Sequence, residues 1–147
     1  MESFIRLQSS ITLSLARHCL DTALSKASDL NIRVSIAIVD ASGHMIHMAH
    51  MDGAPPQCAE IALKKARTAV GFGFSTKLWK ERLQKCSDEV KQGLPAQTNI
   101  ALFGGGEPIL MKDQAIGGIG VSGASESVDA ECAQEAALRA TELLARK

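Results

Sequence analysis

Met51-Asp52-Gly53-Ala54-Pro55-Pro56, continuing through Lys65-Ala66-Arg67-Thr68-Ala69, is the stretch that organises the rest of the chain. It reads as a strand end, a turn and a helix with a face of small side chains. Pro55-Pro56 opens the helix, where proline costs no hydrogen bond. Ala59, Ala62, Ala66, Ala69 and Val70 recur at the helical period and make a narrow stripe, with Lys65 at its edge and Thr68 farther round. Such a helix can lie close to a sheet. Gly71-Phe72-Gly73-Phe74 ends it.

Working outward, Val34-Ser35-Ile36-Ala37-Ile38-Val39 is a β-branched run, read as a central strand. Asp40-Ala41-Ser42-Gly43 is a turn cluster, and Met45–Met51 is the returning strand of a hairpin. Strict alternation puts His44, Ile46, Met48 and His50 on one face and Met45, His47, Ala49 and Met51 on the other. Upstream, Ser9-Ser10 offers a cap for a helix over residues 11–30, buried along Leu13, Ala16, Leu20, Ala23, Leu24 and Ala27. Downstream, a more polar helix over 76–92 ends at Gly93 and Pro95. Three short strands follow, Ile100–Phe103, Ile109–Met111 and Ala115–Val121, with tight turns that make them antiparallel neighbours. A closing helix starts near Ser127, is striped by Ala130, Ala133, Ala137, Ala140 and Leu144, and carries Asp129 in its first turn. The expectation is one α+β domain over residues 1–147: a single five-stranded antiparallel sheet flanked by helices, in the order α-β-β-α-α-β-β-β-α.

Composition narrows the partners. Sixteen basic and sixteen acidic residues leave no net charge, against nucleic acid or an anionic membrane as partner, both of which need a basic excess. A neutral surface favours self-association, so a homo-oligomer is expected. Aromatic residues are 3% of the chain, with no Tyr, too few for base-stacking platforms. There is no stretch of about 18 apolar residues to span a membrane and no signal-peptide pattern at the amino terminus. Cys19, Cys58, Cys86 and Cys132 include no CxxC pair. A cytoplasmic protein with reduced thiols is the simplest expectation.

The assembled residues resemble the GlcG/HbpS family, which also occurs as the C-terminal domain of PduO-type proteins. The resemblance covers about residues 11–145. It is carried by Val39-Asp40 with Gly43, Met51-Asp52-Gly53-Ala54, Lys65-Ala66 with Thr68-Ala69, Thr76, Gly105-Gly106-Glu107-Pro108-Ile109, Ile119-Gly120-Val121-Ser122-Gly123 and Asp129, in that order. It implies a profilin-like sheet core, assembly into dimers or larger oligomers, and binding of heme or a related tetrapyrrole, with no settled catalytic reaction. Some members accompany pathways for glycolate or for cobalamin-dependent diol and glycerol use, so an enzyme or accessory protein of such a pathway is the alternative. The family usually has Arg before Met-Asp-Gly, where this chain has His50, a weaker anion holder that acts only when protonated.

Heme iron needs an axial donor, most often His. His44 and His50 share a strand face about 20 Å apart and cannot serve one iron, and His47 points the other way. His18, whose helix face avoids the buried stripe, is the axial candidate; its other reading is a solvated helix residue. Asp52, Gly53, Lys65, Thr68, Gly105 and Gly106 are the expected ligand-binding residues. Asp52 is the polar anchor or a turn cap, and Lys65 neutralises a ligand carboxylate, pairs with Asp52 or is solvated. Thr68 also has a structural reading. An Asp52–Lys65 pair is what acid–base chemistry would use. The glycine runs 104–106 and 117–118 lack the setting of a dinucleotide fingerprint; they read as turns and close packing, or as an anion cradle. Asp40, Asp52 and Asp129 could gather around a metal. No catalytic residue stands out.

Overall fold

The computed structural model describes residues 2–146. The elements are α1 (Leu13–Asp29), β1 (Ser35–Asp40), β2 (Met45–His50), α2 (Cys58–Phe72), a 3-10 turn (Thr76–Leu78), α3 (Trp79–Gln84), α4 (Asp88–Gly93), β3 (Gly106–Met111), β4 (Gln114–Ser122) and α5 (Glu126–Leu144). The strands form one antiparallel sheet in the order β2-β1-β4-β3. The α+β class holds, but the sheet has four strands and not five.

The missing strand is Ile100–Phe103, which runs unpaired. Thr68 explains why. Its Oγ1 accepts the Ala101 N–H (2.9 Å) and donates to the Lys64 carbonyl (2.7 Å), tying the segment to α2 and not to a sheet edge. β3 instead begins at Gly106 and includes Pro108, which an edge strand tolerates because its outer side needs no donor. The polar helix expected over 76–92 is broken at Ser87, whose Oγ accepts the Val90 N–H and caps α4. At the front of α1 the cap is Thr12, while Ser10 accepts the Ala41 N–H across the hairpin turn.

Two layers of helix cover the sheet. On one face α1 and α5 bring Ala16, Cys19, Leu20, Ala23, Cys132, Ala133, Ala136 and Ala140 against Ile36, Ile38, Ile109, Ile119 and Val121. Leu13, expected in the α1 stripe, is half exposed, and Cys19 takes its place. The other face belongs to α2, and there β1 contributes Val39 against Ala66 and Val70 while β4 presents bare backbone at Gly118 and Gly120. A Cβ on Gly120 would lie 1.8 Å from the Ala62 carbonyl oxygen, and one on Gly118 would lie 2.5 Å from that of Ala66. Glycines in β4 and alanines in α2 are thus one solution to a close approach, each useless without the other.

β2 departs from strict alternation. Val39 pairs with Met45 and Ile38 with His47, leaving Ile46 as the extra residue of a bulge. Ile46 and Ala49, expected on opposite faces, therefore both pack against the α1/α5 core.

Candidate functional site

β4 ends, β3 begins and α5 starts at one end of the sheet, and α2 crosses above. Lys65 sits at this junction with its side chain 1% exposed. Its Nζ donates to the Val121 carbonyl (2.9 Å) and to Asp129 Oδ2 (3.1 Å), and lies 4.8 Å from the centre of the Phe103 ring. The ammonium's three hydrogens thus have two oxygens and a π face to meet. Asp129, 3% exposed, accepts the Ala124 N–H through Oδ1 (2.9 Å). Burial pulls the Lys65 ammonium below its ordinary value, with Asp129 opposing, and burial pushes the Asp129 carboxyl up, with Lys65 opposing. Desolvation outweighs mutual attraction on both sides, as expected for ions removed from water.

The glycine run packs around that pair. Gly105 has φ +126, and a Cβ there would meet Lys65 Nζ at 2.7 Å and the Val121 oxygen at 2.5 Å. Its carbonyl accepts the Val121 N–H (2.8 Å). The Gly106 N–H goes to Thr76 Oγ1 (2.8 Å), which in turn donates to the Phe103 carbonyl (2.6 Å). The Gly104 N–H faces Glu126 Oε2 at 3.4 Å. These donors already have partners within the chain, so the run serves close packing. Nearby, the largely buried Glu107 accepts from Ser75 Oγ (2.7 Å), and burial raises its carboxyl above the ordinary value of 4.5.

The other expected residues fall elsewhere. Lys65 pairs with Asp129 and not with Asp52, because α2 carries it inward over β4 and away from the 51–54 turn. Asp52 is exposed, and its carbonyl accepts from Arg33 Nη1 at 3.4 Å. Gly53, at φ +84 with open space around it, is a turn glycine. The Asp52 turn follows β2 and the Gly105 turn precedes β3, so both lie at the same end of the sheet but on its two outer strands. Three strand spacings, about 14 Å, separate those strands, and within one protomer the two turns do not line one hollow. The Asp52–Lys65 acid–base pair is therefore absent. Asp40 caps the 40–44 turn at the opposite end, accepting the Ser42 and His44 N–H groups (2.9 Å each). Among the described residues no group of three or more His, Cys, Asp or Glu could hold a metal ion.

His18 is exposed on α1; its backbone carbonyl accepts from Thr22 Oγ1 (2.9 Å), and its imidazole has no hydrogen-bond partner among the described residues. His50 is spoken for: its Nδ1 meets Ser35 Oγ and its Nε2 meets the Ala54 carbonyl (3.1 Å), fastening the 51–54 turn to β1. His44 lies 3.4 Å from an Asp40 carboxylate oxygen.

Outside the glycine run a cleft of about 330 Å³ opens between the 76–80 turn and the start of α5. Leu102, Phe103 and Ala130 give it an apolar lining, and Lys77, Lys80 and Glu126 are its charged groups. Sequence reading missed this cleft. Its lining comes from three separated segments, and the lysines carry no motif.

Comparison with known proteins agrees with this architecture. The model of a family described as haem degrading protein HbpS-like matches residues 11–138. A 15.0 kDa protein from the dhaT-dhaS intergenic region of Citrobacter freundii is 32% identical over 126 residues, 86% of this chain and 89% of its own. The crystal structure of Klebsiella pneumoniae protein ORFY superposes with a TM-score of 0.88 at 28% identity, covering 100% of this chain and 99% of that one. A crystal structure of a PduOC:heme complex superposes with a TM-score of 0.79 at 29% identity, covering 88% and 94%. The chain belongs to the HbpS-like family.

Proposed function

We propose that this protein binds heme or a related tetrapyrrole at its surface, with His18 as the axial donor, as a cytoplasmic homo-oligomer. The observation that carries the reading is the state of His18. It is exposed, and its imidazole has no hydrogen-bond partner among the described residues, so a ring nitrogen is available to iron. His50, by contrast, is held by Ser35 and Ala54. The heme complex of PduOC, at 29% identity, supports the ligand class. On the exposed side of α1 around His18, Ser14, Arg17 and Asp21 are polar. Arg17 suits a propionate, and the apolar cover comes from a second copy of the chain. When bound, the tetrapyrrole supplies a redox-active iron; the protein's part is to ligate and orient it. Four free cysteines and the absence of any helix long and apolar enough to cross a membrane, among the described residues, are compatible with the compartment.

The test is a hemin titration of the purified protein followed by absorption spectroscopy. A sharp Soret shift that saturates stoichiometrically, and whose position changes in His18→Ala, is the expected result. A broad, non-saturating change, or a spectrum unaffected by His18→Ala, refutes the assignment.

A further inference from the structure

The geometry points to a second ligand site, separate from His18: the cleft at the start of α5 takes a small aromatic carboxylate. Its volume of about 330 Å³ is near the lower end for small-molecule sites and suits a one-ring acid. Phe103 decides the ring. Its ring meets the Lys65 ammonium at 4.8 Å, yet the residue remains 44% exposed and lines the cleft beside Leu102 and Ala130. A flat apolar body can stack there.

The charges decide the other end. Lys77 and Lys80, three residues apart on a helical turn, present two ammonium groups on the same side. Glu126, which faces the Gly104 N–H, is the opposing charge in the lining; Glu107, close enough to feel Lys77, is largely buried beside Ser75 and outside the lining. The balance favours an anion over a cation. No backbone nest for phosphate forms there, because the Gly104 and Gly106 N–H groups are directed to Glu126 and Thr76, and the ringless anion would leave the apolar lining uncovered. A carboxylate asks less: two ammonium groups at one end and an apolar plane behind it. The site does not rest on heme binding.

The chain carries its own reporter. Trp79, its single tryptophan, is 6% exposed and packs outside the cleft lining against Phe72 and Phe74, with ring centres 4.9 and 5.1 Å away, so through its place between Lys77 and Lys80 it reads ligand-induced changes in the 76–80 turn. Titration with benzoate, followed by Trp79 emission and by the amide NMR signals of Gly104 and Ser127, tests the site, with benzyl alcohol as the uncharged ring and phosphate as the ringless anion. Benzoate is expected to saturate all three signals and the controls to saturate none. The Lys77→Ala/Lys80→Ala variant should weaken benzoate about tenfold or more, and Lys77→Arg/Lys80→Arg should restore it. No saturable benzoate response, equal response to benzyl alcohol or phosphate, or indifference to the double alanine variant overturns the proposal. His18→Ala should leave benzoate binding intact while altering the hemin spectrum, so either assignment can fail alone; loss of benzoate binding in His18→Ala also overturns the second site.

Discussion

Replacing Gly120 by alanine puts one methyl group where the structure has no room. The new carbon would lie 1.8 Å from the Ala62 carbonyl oxygen and 2.7 Å from the Ala66 nitrogen, whereas ordinary contact begins at 3.4 Å. The gap must widen by about 1.6 Å, the difference between those printed distances. Both obstacles are helix backbone, so no rotamer change relieves them, and α2 must lift as a body from β4. A gap of 0.5–1 Å already forfeits roughly a quarter to a half of each dispersion contact, and overpacking a good core usually costs about 1–3 kcal/mol. Here the expectation is the top of that range or beyond, about 3 kcal/mol out of the ~5–15 kcal/mol of a typical domain. Urea denaturation reads it directly: at a slope of about 2 kcal/mol/M the midpoint falls by about 1.5 M. Gly71→Ala is the matched control, because Gly71 lies near the end of α2 with open space where its Cβ would be. It should gain roughly 0.5–1 kcal/mol from helix propensity. A Gly120→Ala protein within about 1 kcal/mol of the parent by this measurement would refute the account of why β4 is glycine-rich.

Lys65→Met leaves Asp129 buried with its Ala124 N–H but without its counter-ion; urea melts should show a loss of about 3–5 kcal/mol, and Lys65→Met/Asp129→Leu should recover most of it. A single variant as stable as the double one would contradict the pairing. Glu107 gives a pH signature. Its folded value is raised above 4.5, so the native state binds more protons than the unfolded chain between 4.5 and that higher value, and stability falls as pH rises through this window. Glu107→Gln should flatten that slope in thermal melts taken across the window, and an unchanged slope would mean another group titrates there. Thr68→Val removes the hydroxyl that accepts the Ala101 N–H, and hydrogen exchange at Ala101 should accelerate while the strands stay protected.

Much of the fold was legible because its signals are local. The β-branched run at 34–39 and the alanine stripes lie within single segments, and periodicity reads them directly; the Ser87 cap that splits 76–92 and the Ser125 cap of α5 are equally local, but the expected bounds of 76–92 and Ser127 pass over them. What failed depended on contacts between segments. Ile100–Phe103 has strand composition, but Thr68, thirty-odd residues upstream, holds it elsewhere. The bulge at Ile46 is set by pairing with β1, and no alternation count reveals it. At the site, Lys65 stood out as an odd charge on a small-residue face. Its partner could not be chosen from sequence, since Asp52 is thirteen positions away and Asp129 sixty-four, and only the path of α2 over β4 decides between them.

The Lys65 ammonium draws on oxygens 56 and 64 positions farther along the chain. A nascent polypeptide lacking α5 offers that cation the Val121 carbonyl and the Phe103 ring but no counter-charge, so the lysine lacks the carboxylate that offsets its burial and its helix is less firmly seated. Completion of this half of the molecule is thereby deferred until the carboxy-terminal segment has been synthesised. The buried charge thus ties the seating of an early helix to the arrival of a late one.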